Sequence, residues 1–91
     1  MRFVEMVDAI SIKNKYYFWW RSIIVRASMR GSRRQARDKL GYVEGHHIFL
    51  ISFGAKRYGE PENIVYLTAK EHIMVHRLMC KFTEGEYRIK S

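Results

Sequence analysis

The chain has 91 residues, 47% of them hydrophobic and 14% aromatic, enough apolar surface for one compact core and too much for an intrinsically disordered segment. Seventeen Lys and Arg against nine Asp and Glu leave it at +8, with a pI near 9.9, which favours polyanionic partners such as nucleic acid or an anionic membrane face. One cysteine, Cys80, excludes an internal disulfide, and the longest apolar run, residues 16–25, is interrupted by Arg21 and falls well short of a bilayer span. The opening MRFVEMVDAI is acidic and lacks a long apolar segment, so a secretory leader is not expected.

Taken in chain order, residues 1–12 alternate only weakly (Phe3, Val4, Met6, Val7, Ile10, Ile12) and are assigned no regular element. From Lys13 to Arg30 the pattern becomes helical, with Tyr16, Trp20, Ile23, Ile24 and Ala27 on one face. Gly31 suits the stop of that helix, and Ser32 with Gln35 forms the S-x-x-Q pattern of a capping box opening a second, short helix that ends at Gly41. The run YYFWW cannot turn all its rings one way on a helix, and most of it is read as core rather than as base-stacking surface.

The charge is concentrated in this first half: residues 1–45 carry ten basic and four acidic side chains, residues 46–91 seven and five. Lys15, Ser22, Arg26 and Arg30 share the helix side away from the apolar stripe, and Arg33, Arg34 and Arg37 extend it. A solvated helix face explains such a run as well as a DNA grip does; the near absence of acids along it and its place just upstream of a histidine cluster favour the grip.

Past Gly41, residues 46–53 (HHIFLISF) read as a strand, residues 54–63 as a loop carrying Lys56, Arg57 and the lone Pro61, and residues 64–67 (IVYL) as a second strand. Thr68 and Glu71 form a second capping box, opening a helix to about Phe82 whose apolar side is Ile73, Met74, Leu78, Met79 and Phe82. Residues 83–91 are expected to be a tail, with extended structure near residues 87–89.

This order places the histidines. His72 and His76, four apart on the last helix, lie one turn above each other and suit a single metal ion. His46 and His47 are adjacent in an extended segment, where neighbours point to opposite sides, so one ligand and one acid-base group is the natural division. A rival zinc site of His72, His76 and Cys80 fails on reach, since eight residues of helix span roughly 12 Å. Cys80 is therefore read as a small buried hydrophobe.

The runs GHHI, NIVYLTAKEH and IMVH resemble the motif of the HNH endonucleases, in particular the small phage-type members, over about 40 residues by the sequence itself. The helix KYYFWWRSIIVRA resembles the one that commonly precedes the motif in such phage proteins. The resemblance implies an α+β fold in which a helical region (residues 1–41) packs on a ββα-metal finger (42–82) followed by a tail (83–91). It implies His46, His72 and His76 as ligands of one divalent ion (Mg²⁺, Mn²⁺ or Zn²⁺), His47 as general base, Asn63 as the residue orienting that base, and Glu44 supporting a ligand. Arg26, Arg30, Arg33, Arg34, Arg37, Lys56 and Arg57 would then meet DNA. The sequence departs from the family in lacking a proline soon after HHI and in a somewhat longer connecting loop, which bears on specificity more than on chemistry. The expected activity is metal-dependent hydrolysis of DNA in the cytoplasm of a bacterial host, by a phage-encoded protein acting as a homodimer or with a partner protein. The alternative is a non-catalytic nucleic-acid-binding module with a structural zinc. A basic membrane-surface protein is the weakest reading, because it leaves the histidine spacing unexplained.

Overall fold

The computed structural model of the chain describes residues 1–50 and 59–89. Among these residues there are four helices, α1 (Arg2–Ala9), α2 (Lys15–Ser28), α3 (Arg33–Leu40) and α4 (Ala69–Phe82), and one antiparallel pair of strands, β1 (Glu44–His47) and β2 (Ile64–Leu67). The class is α+β. In register, Glu44 faces Leu67, Gly45 faces Tyr66, His46 faces Val65 and His47 faces Ile64.

Helix α1 occupies a stretch that the sequence pattern leaves unassigned. Phe3, Val4 and Val7 are buried and stand at i, i+1 and i+4, a helical stripe that the apolar residues between and beyond them disguise as alternation. Helix α2 begins two residues later than the pattern suggests because Asn14 caps it, accepting from Tyr17 N at 3.0 Å, while its amide nitrogen donates to Lys81 O at 3.0 Å near the end of α4. Its buried stripe is Tyr17, Trp20, Ile24 and Ala27; Tyr16 lies at the margin, and Phe18 and Trp19 are exposed.

Helices α2 and α4 pack on each other, and α2 also touches β2. Phe82 closes this seam, its ring edge-on to Tyr17 at 5.4 Å between centroids and 5.3 Å from Trp20. Burying side chains of this size contributes roughly 1.5–3 kcal/mol each, so the aromatic cluster is a main source of stability in so small a core. On α4 the buried residues are Val75, Leu78, Met79 and Phe82, whereas Ile73 and Met74, expected inside, are exposed. The helix turns the face carrying Val75 to α2, and this rotation brings His72 to β1.

Both expected capping boxes form. Ser32 N donates to Gln35 Oε1 at 2.8 Å while Gln35 N donates to Ser32 Oγ at 3.3 Å; Thr68 and Glu71 repeat the exchange at 2.8 and 3.2 Å. The first strand differs from expectation: it starts at Glu44 and its pairing ends at His47, and the remainder of the expected strand beyond residue 50 lies outside the described residues. Toward the carboxyl end, residues Gly85–Tyr87 form a 3-10 turn instead of a strand, and among the described residues extended pairing there is a bridge between Ser11 and Thr83.

Candidate metal and nucleic-acid site

Strand alternation decides what each histidine can meet. Residues 44 and 46 share one face of β1, and His46 is 4% exposed, on the side that also carries buried Val65 and Leu67. Its ring stands edge-on to that of His72, 5.3 Å between centroids and 72° between planes. Among the described residues His46 Nε2 has no hydrogen-bond partner although it is buried. Burial first, and then the neighbouring His72, His47 and His76, lower the pKa of His46 to about 3, so it is a neutral imidazole at physiological pH with a lone pair to give.

His72 is held from the other side. Its Nδ1 is 2.8 Å from Glu44 Oε1, and the second oxygen of Glu44 accepts from the Tyr42 hydroxyl at 2.8 Å. The bond to His72, followed by that to Tyr42, keeps the Glu44 carboxyl below its ordinary range. A carboxylate on Nδ1 favours the proton on that nitrogen and leaves the lone pair on Nε2, as in the carboxylate–histidine pairs of metal sites. Glu44, His72 and His76 border one open hollow of about 440 Å³ with Ile73, Arg77 and Cys80. Cys80 is only partly buried there, not the enclosed hydrophobe that its sequence context suggests, and its thiol lies 3.3 Å from His76 O.

These donors fit a divalent ion in kind: a buried imidazole with a nitrogen lacking a partner packs edge-on with a second imidazole held by a carboxylate. The described residues do not, however, gather three His, Cys, Asp or Glu side chains into a ready metal cage. His46 and His72 form the close pair, and His76, one turn along α4, shares the hollow with His72 but not with His46.

His47 projects to the opposite face of β1, in line with Gly45, Ile64 and Tyr66. Burial lowers its pKa, which also keeps it neutral. Asn63 is fully buried at the end of the 3-10 turn Pro61–Asn63. Its side chain grips the backbone just past His47: Oδ1 accepts from Phe49 N at 2.7 Å and Nδ2 donates to Phe49 O at 3.0 Å, while Asn63 O accepts from Ile48 N at 2.8 Å. These bonds fix the chain that carries the His47 ring.

The basic residues separate into three groups. Arg30 is not part of an open stripe: its guanidinium makes two 2.7 Å bonds to Glu71 and one of 2.8 Å to Tyr66 O, with side chains only 14% and 22% exposed. Its charge is consumed inside the fold, where it ties α2 to β2 and to the first turn of α4. Arg26, Arg33, Arg34 and Arg37 are exposed, and Arg33 lies over the Tyr66 ring at 5.2 Å. Lys56 and Arg57 lie outside the described residues. The residues that sequence reasoning passed over are Tyr42, which steadies Glu44, and the partnership of Arg30 with Glu71; neither has a local signal, because each depends on a contact across the fold.

Over 61 residues the chain is 41% identical to a protein of Enterobacteria phage T4 named "Probable mobile endonuclease E". The match takes in 66% of this chain and 39% of the phage protein, so the chain spans well under half the length of that relative. No family model and no solved structure gives a significant match.

Proposed function

We propose that the chain is a divalent-metal-dependent endonuclease of the HNH type that hydrolyses DNA phosphodiester bonds. In this reading β1, β2 and α4 are the ββα-metal finger, His46, His72 and His76 hold the ion, and His47 is the general base. The observation that carries it is the buried, unpartnered Nε2 of His46, on a ring packed edge-on with a His72 that Glu44 already holds. An orphaned buried nitrogen costs roughly 1–3 kcal/mol, a cost that metal ligation would offset. The named activity of the phage relative agrees with this reading.

When bound, the ion supplies Lewis-acid stabilisation of the charge that develops on phosphate and on the departing 3′ oxygen. His47, neutral at pH 7, accepts the proton of the attacking water from the opposite face of β1. Asn63 keeps His47 in place by holding the backbone of Phe49. The exposed Arg26, Arg34 and Arg37 contribute sequence-independent attraction to the DNA backbone. Among the described residues no helix is long and apolar enough to cross a membrane. We place the enzyme in the bacterial cytoplasm during phage infection, where a second copy or a partner protein would enlarge a recognition surface too small to specify a site alone.

The test is cleavage of supercoiled plasmid in Mg²⁺, Mn²⁺ or Zn²⁺, beside EDTA and a His47→Ala control. Nicking that requires metal and disappears in His47→Ala, with metal binding retained, is the expected result. DNA binding without cleavage in all three metals would overturn it and point to a non-catalytic module with a structural zinc.

A further inference from the structure

The outer face of the two-stranded sheet holds a second feature. Gly45 and His47 lie two residues apart on β1, hence on the same face and about 7 Å apart. Across from them on β2 stand Tyr66 and Ile64. A methyl group placed on Gly45 would come within 3.2 Å of Arg33 Nη2 and 3.7 Å of the Tyr66 ring. One nitrogen of the Arg33 guanidinium therefore crowds the place that a side chain at position 45 would take, and the group lies over the Tyr66 ring 5.2 Å from the centroid. It reaches there from the first residue of α3, whose start the Ser32 capping box fixes.

Arg30 and Arg33, three residues apart, thus have opposite fates. Arg30 is neutralised by Glu71, whereas Arg33 has no carboxylate within ion-pair distance among the described residues. Its guanidinium lies over an aromatic ring, and the residue is exposed to solvent. An arginine held this way has already lost much of its rotational freedom, and its fork of N–H donors matches two oxygens of one phosphate.

We infer that Arg33, cradled by Tyr66 in the gap left by Gly45, binds the DNA phosphodiester group presented to His47. The inference rests on the nuclease reading for its placement beside a base, but the cradle itself is a phosphate site whether or not turnover occurs. It separates Arg33 from the other exposed arginines: they attract DNA, and Arg33 sets which phosphate lies within reach of the imidazole.

The test compares wild-type protein with Arg33→Ala, Arg33→Lys, Gly45→Ala and, as a control for charge alone, Lys39→Ala on the solvent side of α3. Two readouts are taken: the rate of plasmid cleavage at saturating DNA, and the salt dependence of binding to a labelled duplex in EDTA. Arg33→Ala should lower the saturated rate by at least about tenfold, as loss of one positioned donor to a reacting centre does. Its binding slope against log salt should fall by about one. Arg33→Lys should recover the slope but not the rate, because an ammonium keeps the charge without the fork. Gly45→Ala should slow cleavage with every charge retained, while Lys39→Ala leaves the saturated rate unchanged. Thermal melts check that each variant is folded.

If wild-type protein cuts and Arg33→Ala matches it in both rate and slope, the cradle is refuted and the nuclease reading stands. Should the wild type cut nothing in any metal, the nuclease reading fails, and the slope of Arg33→Ala in EDTA alone decides whether the cradle holds a phosphate.

Discussion

Replacing Glu71 by Gln should cost about 2–3 kcal/mol of folding stability, although it leaves the helix cap intact. Gln serves at this capping-box position as well as Glu does, so the substitution isolates the ion pair with Arg30. The bonds from Arg30, opposed by burial and reinforced by Thr68, lower the Glu71 pKa from 4.5 to about 2. That depression corresponds to about 3 kcal/mol, and since both side chains retain some exposure the lower end of the 3–5 kcal/mol expected for breaking a buried pair is the better figure. With an m-value of about 1–3 kcal/mol/M in urea, the midpoint should fall by roughly 0.7–3 M at pH 7. Adding Arg30→Met should restore part of the loss, because it removes the charge left without its counter-ion. The pH dependence has a definite sign. A carboxyl whose folded pKa is depressed contributes fully above its unfolded value near 4.5 and loses that contribution as pH falls toward 2. The gap between wild type and Glu71→Gln should therefore close between about pH 5 and pH 2. A urea midpoint unmoved at pH 7, or a gap still open at pH 2, would refute the account of this pair as the tie between α2, β2 and α4.

Two further substitutions probe the site. Asn63→Ala removes both side-chain bonds to Phe49 and should cost about 2–4 kcal/mol in chemical denaturation; a loss below about 1 kcal/mol would mean that other bonds hold the chain after His47. Glu44→Gln keeps the shape of the group beside His72 but not its charge, and should weaken Zn²⁺ or Mn²⁺ binding by about 10- to 100-fold in calorimetry. Unchanged affinity would show that Glu44 does not tune His72 as a ligand.

Local chemistry wrote a good part of this molecule plainly into its sequence. The two capping boxes, Ser32 with Gln35 and Thr68 with Glu71, form where the residue pattern puts them, because each requires only side chains three residues from the backbone they satisfy. The second strand and the pairing of His72 with His76 along one helix are equally local. So is the separation of His46 from His47, which follows from the two-residue period of a strand.

Tertiary packing decided the rest. Short amphipathic segments such as α1 carry an ambiguous period, and only burial of Phe3, Val4 and Val7 against the core selects the helix. The rotation of α4 that exposes Ile73 and buries Val75 is set by α2, with Phe82 locked against Tyr17 and Trp20. Arg30 and Arg33 look alike in a basic run, yet Glu71 lies within reach of one and Tyr66 beneath the other. Charge is a property of a residue, but whether it is spent inside the fold or left for a ligand depends on which distant side chain the fold brings to it.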